Sequence, residues 1–107
     1  MTATSSIPVA CQLTDAALAN RRQSVIETLV PHIQAREELD DGYGFCFLAT
    51  NAIAQELLVF VLLERQCCPF FQMELVFVPG NEATWLRLCG GNAAKRFIET
   101  ELAGMLA

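Results

Sequence analysis

The sequence has little positive charge and no long apolar run. Seven lysine and arginine residues stand against twelve aspartate and glutamate residues, which gives a net charge of −5. Nucleic-acid-binding domains need a basic surface to meet the phosphate backbone, so we expect no direct contact of this chain with DNA or RNA. The longest nearly uncharged apolar stretch, residues 57–63, is far shorter than the roughly 20 residues that cross a bilayer, so we expect no membrane span.

The beginning of the chain also lacks the features of a signal peptide. Its first residues, MTATSSIPVACQLT, carry neither a basic start nor a sustained apolar run. We therefore expect a cytoplasmic protein. A length of 107 residues suits a single domain over residues 1–107, and a hydrophobic content of 53% is enough for a core.

The five cysteines match no common zinc-binding pattern, since the chain has no C-x-x-C motif and only one histidine. His32 is far from every cysteine in the sequence and has polar neighbours on its helix face, so we expect it to be exposed and not a ligand. Because the cysteine count is odd and the expected compartment is reducing, we expect no disulfide framework. Cys46 and Cys89 fall in predicted strands and are interpreted as packing residues.

Hydrophobic periodicity predicts the element order β-α-β-α-β-β-α. The predicted elements are a strand at 7–13, a helix capped by Thr14 and interrupted at Pro31, a strand at 43–49, a helix capped by Asn51 and ending near Cys67, strands at 70–78 and 84–89, and a last helix capped by Asn92. The segment AREELDDG is interpreted as a polar helix end with a turn. We therefore predict an α+β two-layer sandwich, with a four-stranded, mostly antiparallel sheet and helices packed on it.

The second predicted helix is apolar on nearly every side. Its core reads LLVFVLL, and a helix of this kind is usually buried within a domain or in an oligomer interface. A chain of this size has little other structure with which to cover it. We therefore expect a homodimer, with a different protein partner as the alternative.

The segment LERQCCPFF carries the main functional candidate, the adjacent pair Cys67 and Cys68. Pro69 disfavours helical geometry at the residue before it, so the helix should end at the pair. The negative end of the helix dipole and the apolar Phe70 both disfavour a free thiolate. Because no nearby histidine can act as a base, cysteine-based nucleophilic catalysis is disfavoured as well.

A soft metal ion changes that balance, because coordination deprotonates a thiol. Thiolates suit copper(I), zinc and heavier thiophilic ions, so Cys67 and Cys68 are predicted metal ligands. Cys11 becomes a third ligand if the first strand ends beside them. Glu64 lies on the same side of the helix, where it would orient or balance the site, with Arg21, Arg22 or Arg65 as its partner. The competing interpretation treats the cysteines as small buried hydrophobes, and a strained vicinal disulfide is a minor third option.

Three segments, CQLT, LERQCCPFFQMEL and WLRLCGGNAAKRFIETEL, together resemble a largely uncharacterised family of small bacterial proteins with a Glu-x-x-Cys-Cys-Pro-Phe motif. Similar segments are also attached to regulators of the type that senses metal ions or oxidants. The resemblance implies a sensory or metal-handling setting and no particular reaction. The positions that match its motifs are Cys11, Glu64, Cys67, Cys68, Pro69 and Phe70.

Two hypotheses follow from the sequence. The leading one is a small cytoplasmic binding protein whose vicinal cysteines bind a soft metal ion or respond to redox conditions. The alternative is a structural, oligomerisation or partner-interaction module with packed, unreactive cysteines and no catalytic activity. An enzyme that uses Glu64 or a cysteine is the least favoured reading, because the helix end is electrostatically wrong for it and no histidine base is nearby.

Overall fold

The computed structural model describes residues 8–107, which form a mixed α+β fold with three α-helices and a four-stranded antiparallel sheet. The elements in chain order are α1 (Ala16–Leu29), β1 (Ala35–Leu39), β2 (Gly42–Phe47), α2 (Asn51–Cys67), β3 (Gln72–Phe77), β4 (Thr84–Cys89) and α3 (Asn92–Glu101). The predicted α+β class and the four-stranded antiparallel sheet are thus confirmed. None of the helices in this described part is both long and apolar enough to cross a membrane.

The first predicted strand is wrong. Ile7 lies outside the described residues, and residues 8–13 form no strand. The fourth strand of the sheet is instead β1, which lies in the segment AREELDDG, for which the sequence predicts a polar helix end. Its Ala-Arg-Glu-Glu-Leu sequence favours a helix locally, but β1 pairs antiparallel with the aromatic strand β2, and this tertiary pairing overrides the local preference. The observed order is therefore α-β-β-α-β-β-α.

The hairpin between β1 and β2 depends on a glycine. Its turn is formed by Asp40 and Asp41, and Leu39 pairs with Gly42 on the other side. A Cβ atom at Gly42 would lie 1.9 Å from the backbone oxygen of Leu88 on β4. Only glycine therefore allows β2 to approach β4 this closely at the start of the strand.

The sheet has the strand order β1-β2-β4-β3, and the predicted hairpin of β3 with β4 is confirmed. One face carries the core side chains Phe45, Phe47, Leu86 and Leu88, all of them 0% exposed. Alternation along the strands puts Cys46 and Cys89 on the opposite face. The core side chains contact buried residues of all three helices.

The N-cap residue of each of the first two helices lies one position away from the predicted one. Asp15, rather than Thr14, accepts hydrogen bonds from the backbone at the start of α1, and Thr50, rather than Asn51, accepts one at the start of α2. Both have extended backbones, as N-cap residues require. Pro31 lies in a 3-10 turn after α1, as the predicted interruption requires. The two helices pack against each other, which brings side chains of α1 to the end of α2.

The third helix packs on β1 and β2. The residue that precedes it as its cap is Gly91, rather than the predicted Asn92, and its backbone φ of 94° favours glycine. Ala94 and Ile98 are fully buried under the sheet, and the Tyr43 hydroxyl donates a 2.6 Å hydrogen bond to Glu99. These contacts fix α3 beside the N-terminal segment that leads to α1.

Candidate functional site at the end of the second helix

The second helix ends at the cysteine pair, as the proline predicts. Cys67 is its last residue, and Cys68 follows as the C-cap with a non-helical backbone, φ −129° and ψ 66°. The Cys68 amide still donates a 2.6 Å hydrogen bond to the carbonyl oxygen of Glu64. Pro69 then carries the chain away from the helix axis, and the Phe71 amide donates to the Cys68 carbonyl at 3.1 Å. The pair is therefore held by backbone bonds on both sides.

The N-terminal segment lies against this helix end, although it is not a strand. The amide of Gln12 donates a 2.7 Å hydrogen bond to the carbonyl oxygen of Cys67. Cys11 forms a disulfide with Cys67, 56 residues away in sequence, and their Cα atoms are 4.7 Å apart. Our expectation that the chain forms no disulfide is thus wrong. Cysteine counting failed here because it does not reveal which cysteines the packing of the chain brings together.

The third sulfur belongs to Cys68, which is free and fully buried. Its Sγ atom lies 3.3 Å from the Sγ atom of Cys67, which is 0% exposed as well. Cys11 Sγ is bonded to the same Cys67 sulfur. The three predicted ligands therefore form one continuous group of sulfurs. Cys11 belongs to the exposed end of this group.

A buried ion pair lies directly beside the sulfurs. Glu64, one turn before the cysteines, is 0% exposed, and Arg22 of α1 donates from Nε to Oε2 and from Nη2 to Oε1, the latter at 3.1 Å. A buried carboxylate needs such a partner, because an unpaired charge in the protein interior is strongly destabilising. Of the arginines that the sequence offered, the fold selects Arg22, whereas Arg21 and Arg65 are exposed.

Burial, with a smaller contribution from the Glu64 carboxylate, keeps Cys68 in its neutral form. Burial raises the pKa of its thiol to about 12, and the Glu64 carboxylate adds to this effect, while the Arg22 guanidinium opposes it. Burial lowers the pKa of Arg22, but its hydrogen bonds and charge interaction with Glu64 outweigh burial and raise it overall. The raised pKa of Cys68 agrees with the prediction that this helix end disfavours a free reactive thiolate. A bound cation would reverse the preference, because it displaces the thiol proton.

The arrangement has the composition of a metal-binding group. One ligand atom each from Glu64, Cys67 and Cys68 lie within 4.8 Å of one another. Both carboxylate oxygens of Glu64 already accept hydrogen bonds from Arg22, so the carboxylate is engaged, whereas Cys68 is a free thiol and reduction of the disulfide would free the sulfurs of Cys11 and Cys67. Sulfur is accordingly the donor that this site offers most readily to a soft ion.

Aromatic side chains that follow the cysteine pair in the sequence pack against α3. The Phe70 ring lies 4.6 Å from the Phe71 ring and 5.1 Å from the Phe97 ring, in tilted and edge-on arrangements. Beside them, Val9 and Cys11 line one wall of an open groove along α3 with a volume of about 590 Å³. The Cys11 end of the site therefore faces solvent, while the Cys67–Cys68 end is sealed.

Sequence reasoning found the sulfurs but could not choose the ion-pair partner. Arg22 carries no local signal of its role, since it is one of two adjacent arginines on a polar helix face, and only the packing of α1 on α2 separates it from Arg21. His32 is exposed, as predicted, and Cys46 and Cys89, which are interpreted as packing residues, are half-buried. Comparisons of the chain with protein families, with curated proteins and with solved structures find no match.

Proposed function

We propose that the chain is a small cytoplasmic binding protein in which Cys11, Cys67 and Cys68 bind one soft, thiophilic metal ion. The observation that carries this proposal is the convergence of three sulfurs from two segments that are 56 residues apart in sequence. Cysteines that serve only as packing residues have no reason to meet around one point. Glu64 and Arg22 form an ion pair with no net charge beside the sulfurs.

Binding depends on the redox state of the site. In the oxidised form, the sulfurs of Cys11 and Cys67 bond to each other and are not available as thiolate ligands. A thiol reductant adds two electrons and two protons to this bond and regenerates two thiols. A metal ion then displaces the thiol protons and joins the three sulfurs. The leading hypothesis offers metal binding or a redox response as alternatives. Both then belong to one site, which binds the ion when reduced and forms a disulfide when oxidised.

The motif resemblance supports the same proposal. The segments that resemble the family of small bacterial proteins include the three cysteines, Glu64, Pro69 and Phe70. Here Pro69 follows the end of the helix, and the Phe70 ring packs against the rings of Phe71 and Phe97. A metal-handling or sensory setting, which the resemblance implies, fits a site that changes with both metal and oxidant.

Titration of the reduced protein with copper(I), zinc or mercury(II) tests the proposal. We expect one equivalent to bind, and the double variant Cys67→Ser/Cys68→Ser to lose this binding. The double variant Cys46→Ser/Cys89→Ser is the matched control, because it removes the same number of thiols from the opposite face of the sheet. If the first double variant binds as tightly as the parent, the site does not exist.

A second candidate, an oligomerisation or partner-interaction module, is favoured by the outer side of α2. Leu58 and Leu62 lie one turn apart and are 50% and 48% exposed. We propose that a second copy of the chain covers them, so that Leu58→Lys/Leu62→Lys yields a monomer in sedimentation experiments. Leu48→Lys, at an equally exposed leucine outside α2, is the control. A monomeric parent protein would exclude the homodimer.

A further inference from the structure

The number of available donors at the site is three. Within residues 8–107, the one non-sulfur donor grouped with Cys67 and Cys68 is Glu64, and both of its oxygens accept from Arg22. If the ion bound this carboxylate, the Arg22 guanidinium would lose its partner. The Arg22 side chain is only 14% exposed, so water could replace that partner only in part. Removing one member of such a pair is strongly unfavourable. The site therefore favours an ion that is satisfied by three sulfurs.

The net charge of the complex restricts the class of ion further. Arg22 and Glu64 cancel each other, so three thiolates give a complex whose net charge depends on the ion alone. A monovalent ion leaves two negative charges, a divalent ion leaves one, and a trivalent ion leaves none. Cys67 and Cys68 are 0% exposed, and burying net charge is costly. A trivalent ion is the one that gives a neutral buried complex.

The spacing of the sulfurs points in the same direction. In a tetrahedral zinc site the Zn–S bonds of about 2.3 Å place neighbouring sulfurs about 3.8 Å apart. In the disulfide form, the Sγ atoms of Cys67 and Cys68 lie 3.3 Å apart, which is closer than that spacing. A trivalent metalloid carries a lone pair that narrows its bond angles below the tetrahedral value and draws its three sulfurs together. A linear two-coordinate ion would instead require its sulfurs on opposite sides.

From these observations we infer that the reduced site selects a trivalent metalloid ion, arsenic(III) or antimony(III), held by Cys11, Cys67 and Cys68. This inference rests on the proposed thiol site and names its ligand class. The reaction is a ligand exchange without oxidation or reduction: three As–O bonds of arsenous acid break, three As–S bonds form, and the three thiol protons leave with three hydroxides as water. A thiol reductant opens the Cys11–Cys67 disulfide beforehand.

Competition binding to the reduced, full-length protein tests the inference with sodium arsenite and cadmium chloride as probes. Native mass spectrometry should show one arsenic atom per chain with the loss of three hydrogens, even with equimolar cadmium present. Cys11→Ser, Cys67→Ser and Cys68→Ser should each weaken arsenite binding on the order of 100-fold, because each removes one arm of a chelate. Cys46→Ser and Cys89→Ser should bind like the parent.

A change of charge next to the site gives a second test that does not depend on how stable each variant is. Glu64→Gln removes the negative charge and keeps the shape, so that Arg22 then compensates a complex with one negative charge. The ratio of arsenite affinity to cadmium affinity, measured on the same sample, should fall by about tenfold. Arg21→Gln, at the exposed neighbour of Arg22, should leave the ratio unchanged.

The outcomes separate this inference from the proposed function. If copper(I) or mercury(II) binds through Cys67 and Cys68 but arsenite does not displace cadmium, the ligand class is wrong and the thiol site stands. If any of the three single serine variants binds arsenite as tightly as the parent, three-sulfur coordination is wrong. If no ion binds to the reduced protein, both fail together.

Discussion

The molecule contains two groups of cysteines in opposite environments. Cys11, Cys67 and Cys68 meet at the end of α2, where the last two are fully buried beside an ion pair. Cys46 and Cys89 are half-buried on the face of the sheet that points away from the core. In the β2–β4 register, Cys46 pairs with Trp85 and Cys89 with Gly42, so four residues of strand, roughly 13 Å, separate the two.

This difference shows that the fold, and not the residue type, decides what a cysteine can do here. A disulfide needs Cα atoms within about 7 Å, and the sheet register keeps Cys46 and Cys89 well beyond that reach. The end of α2 instead brings one cysteine of the N-terminal segment to 4.7 Å from Cys67. Two cysteines therefore lie apart as separate side chains of a sheet, while the other three lie together at the end of α2.

Removing the disulfide should give the largest contrast between the two groups. The bond closes a loop with a sequence separation of 56 residues, for which the loss of chain entropy in the unfolded state corresponds to about 4 kcal/mol of stabilisation. We expect Cys11→Ser to lower the free energy of unfolding by about that amount in urea titrations. Cys46→Ser and Cys89→Ser are the matched controls, and equal unfolding midpoints for all three variants would contradict the assignment.

Breaking the ion pair should have the next largest effect. Arg22→Met leaves Glu64 buried without a partner, which we expect to lower the free energy of unfolding by about 3 kcal/mol. Arg21→Met removes the same charge from the adjacent, exposed position and should change stability by less than about 0.5 kcal/mol. Equal losses in the two variants would show that Glu64 does not depend on Arg22.

The local parts of this fold could be predicted from the sequence. Helix α2 is long and apolar and ends just before Pro69, so its apolar run and this proline are enough to locate it. The β3–β4 hairpin is evident from a Pro-Gly-Asn turn between two strands of alternating polarity. Strand β1 could not be found in this way, because its residues favour a helix and its pairing with β2 is a tertiary interaction.

The site, like the fold, has parts that follow from the local sequence and parts that depend on tertiary packing. Glu64, Cys67 and Cys68 lie within one turn of a single helix, so their proximity follows from helical spacing. The sequence makes Cys11 a candidate ligand only if its segment reaches the helix end, and in the structure this segment does so without forming a strand. The choice of Arg22 over Arg21 depends on how α1 packs on α2, which no local pattern encodes.

Alkylation of the native protein should distinguish the two groups at the level of single thiols. Cys46, Cys68 and Cys89 are the free cysteines, and only Cys68 is fully buried. Its pKa, raised by burial to about 12, leaves almost no thiolate at neutral pH. We expect iodoacetamide to modify Cys68 on the order of 100-fold more slowly than Cys46 and Cys89, as followed by peptide mass spectrometry. Unfolding in urea should equalise the three rates, and rapid native labelling of Cys68 would contradict its burial.

The smallest effect concerns a charge beside one cysteine of the sheet. Burial raises the pKa of Cys89, the carboxylates of Asp41 and Glu74 raise it further, and Arg87 opposes them. Because a raised pKa means less thiolate at a given pH, Asp41→Asn should lower the pKa and speed the alkylation of Cys89 at pH values below it. We expect an increase of about threefold, as for one partly screened charge at the protein surface.

Cys46 in the same molecule serves as the internal control for this measurement, since its labelling rate should not change. Asp40→Asn, at the other residue of the β1–β2 turn, removes the same charge without a direct interaction with Cys89. The backbone bond from the Gly90 amide to the Asp41 carbonyl, 3.1 Å long, does not involve the altered side chain and should keep the turn in place. If both variants speed Cys89 equally, the general negative field of the turn controls this thiol. If only Asp41→Asn does, then single neighbouring charges tune cysteines on the sheet as Glu64 and Arg22 do at the end of α2.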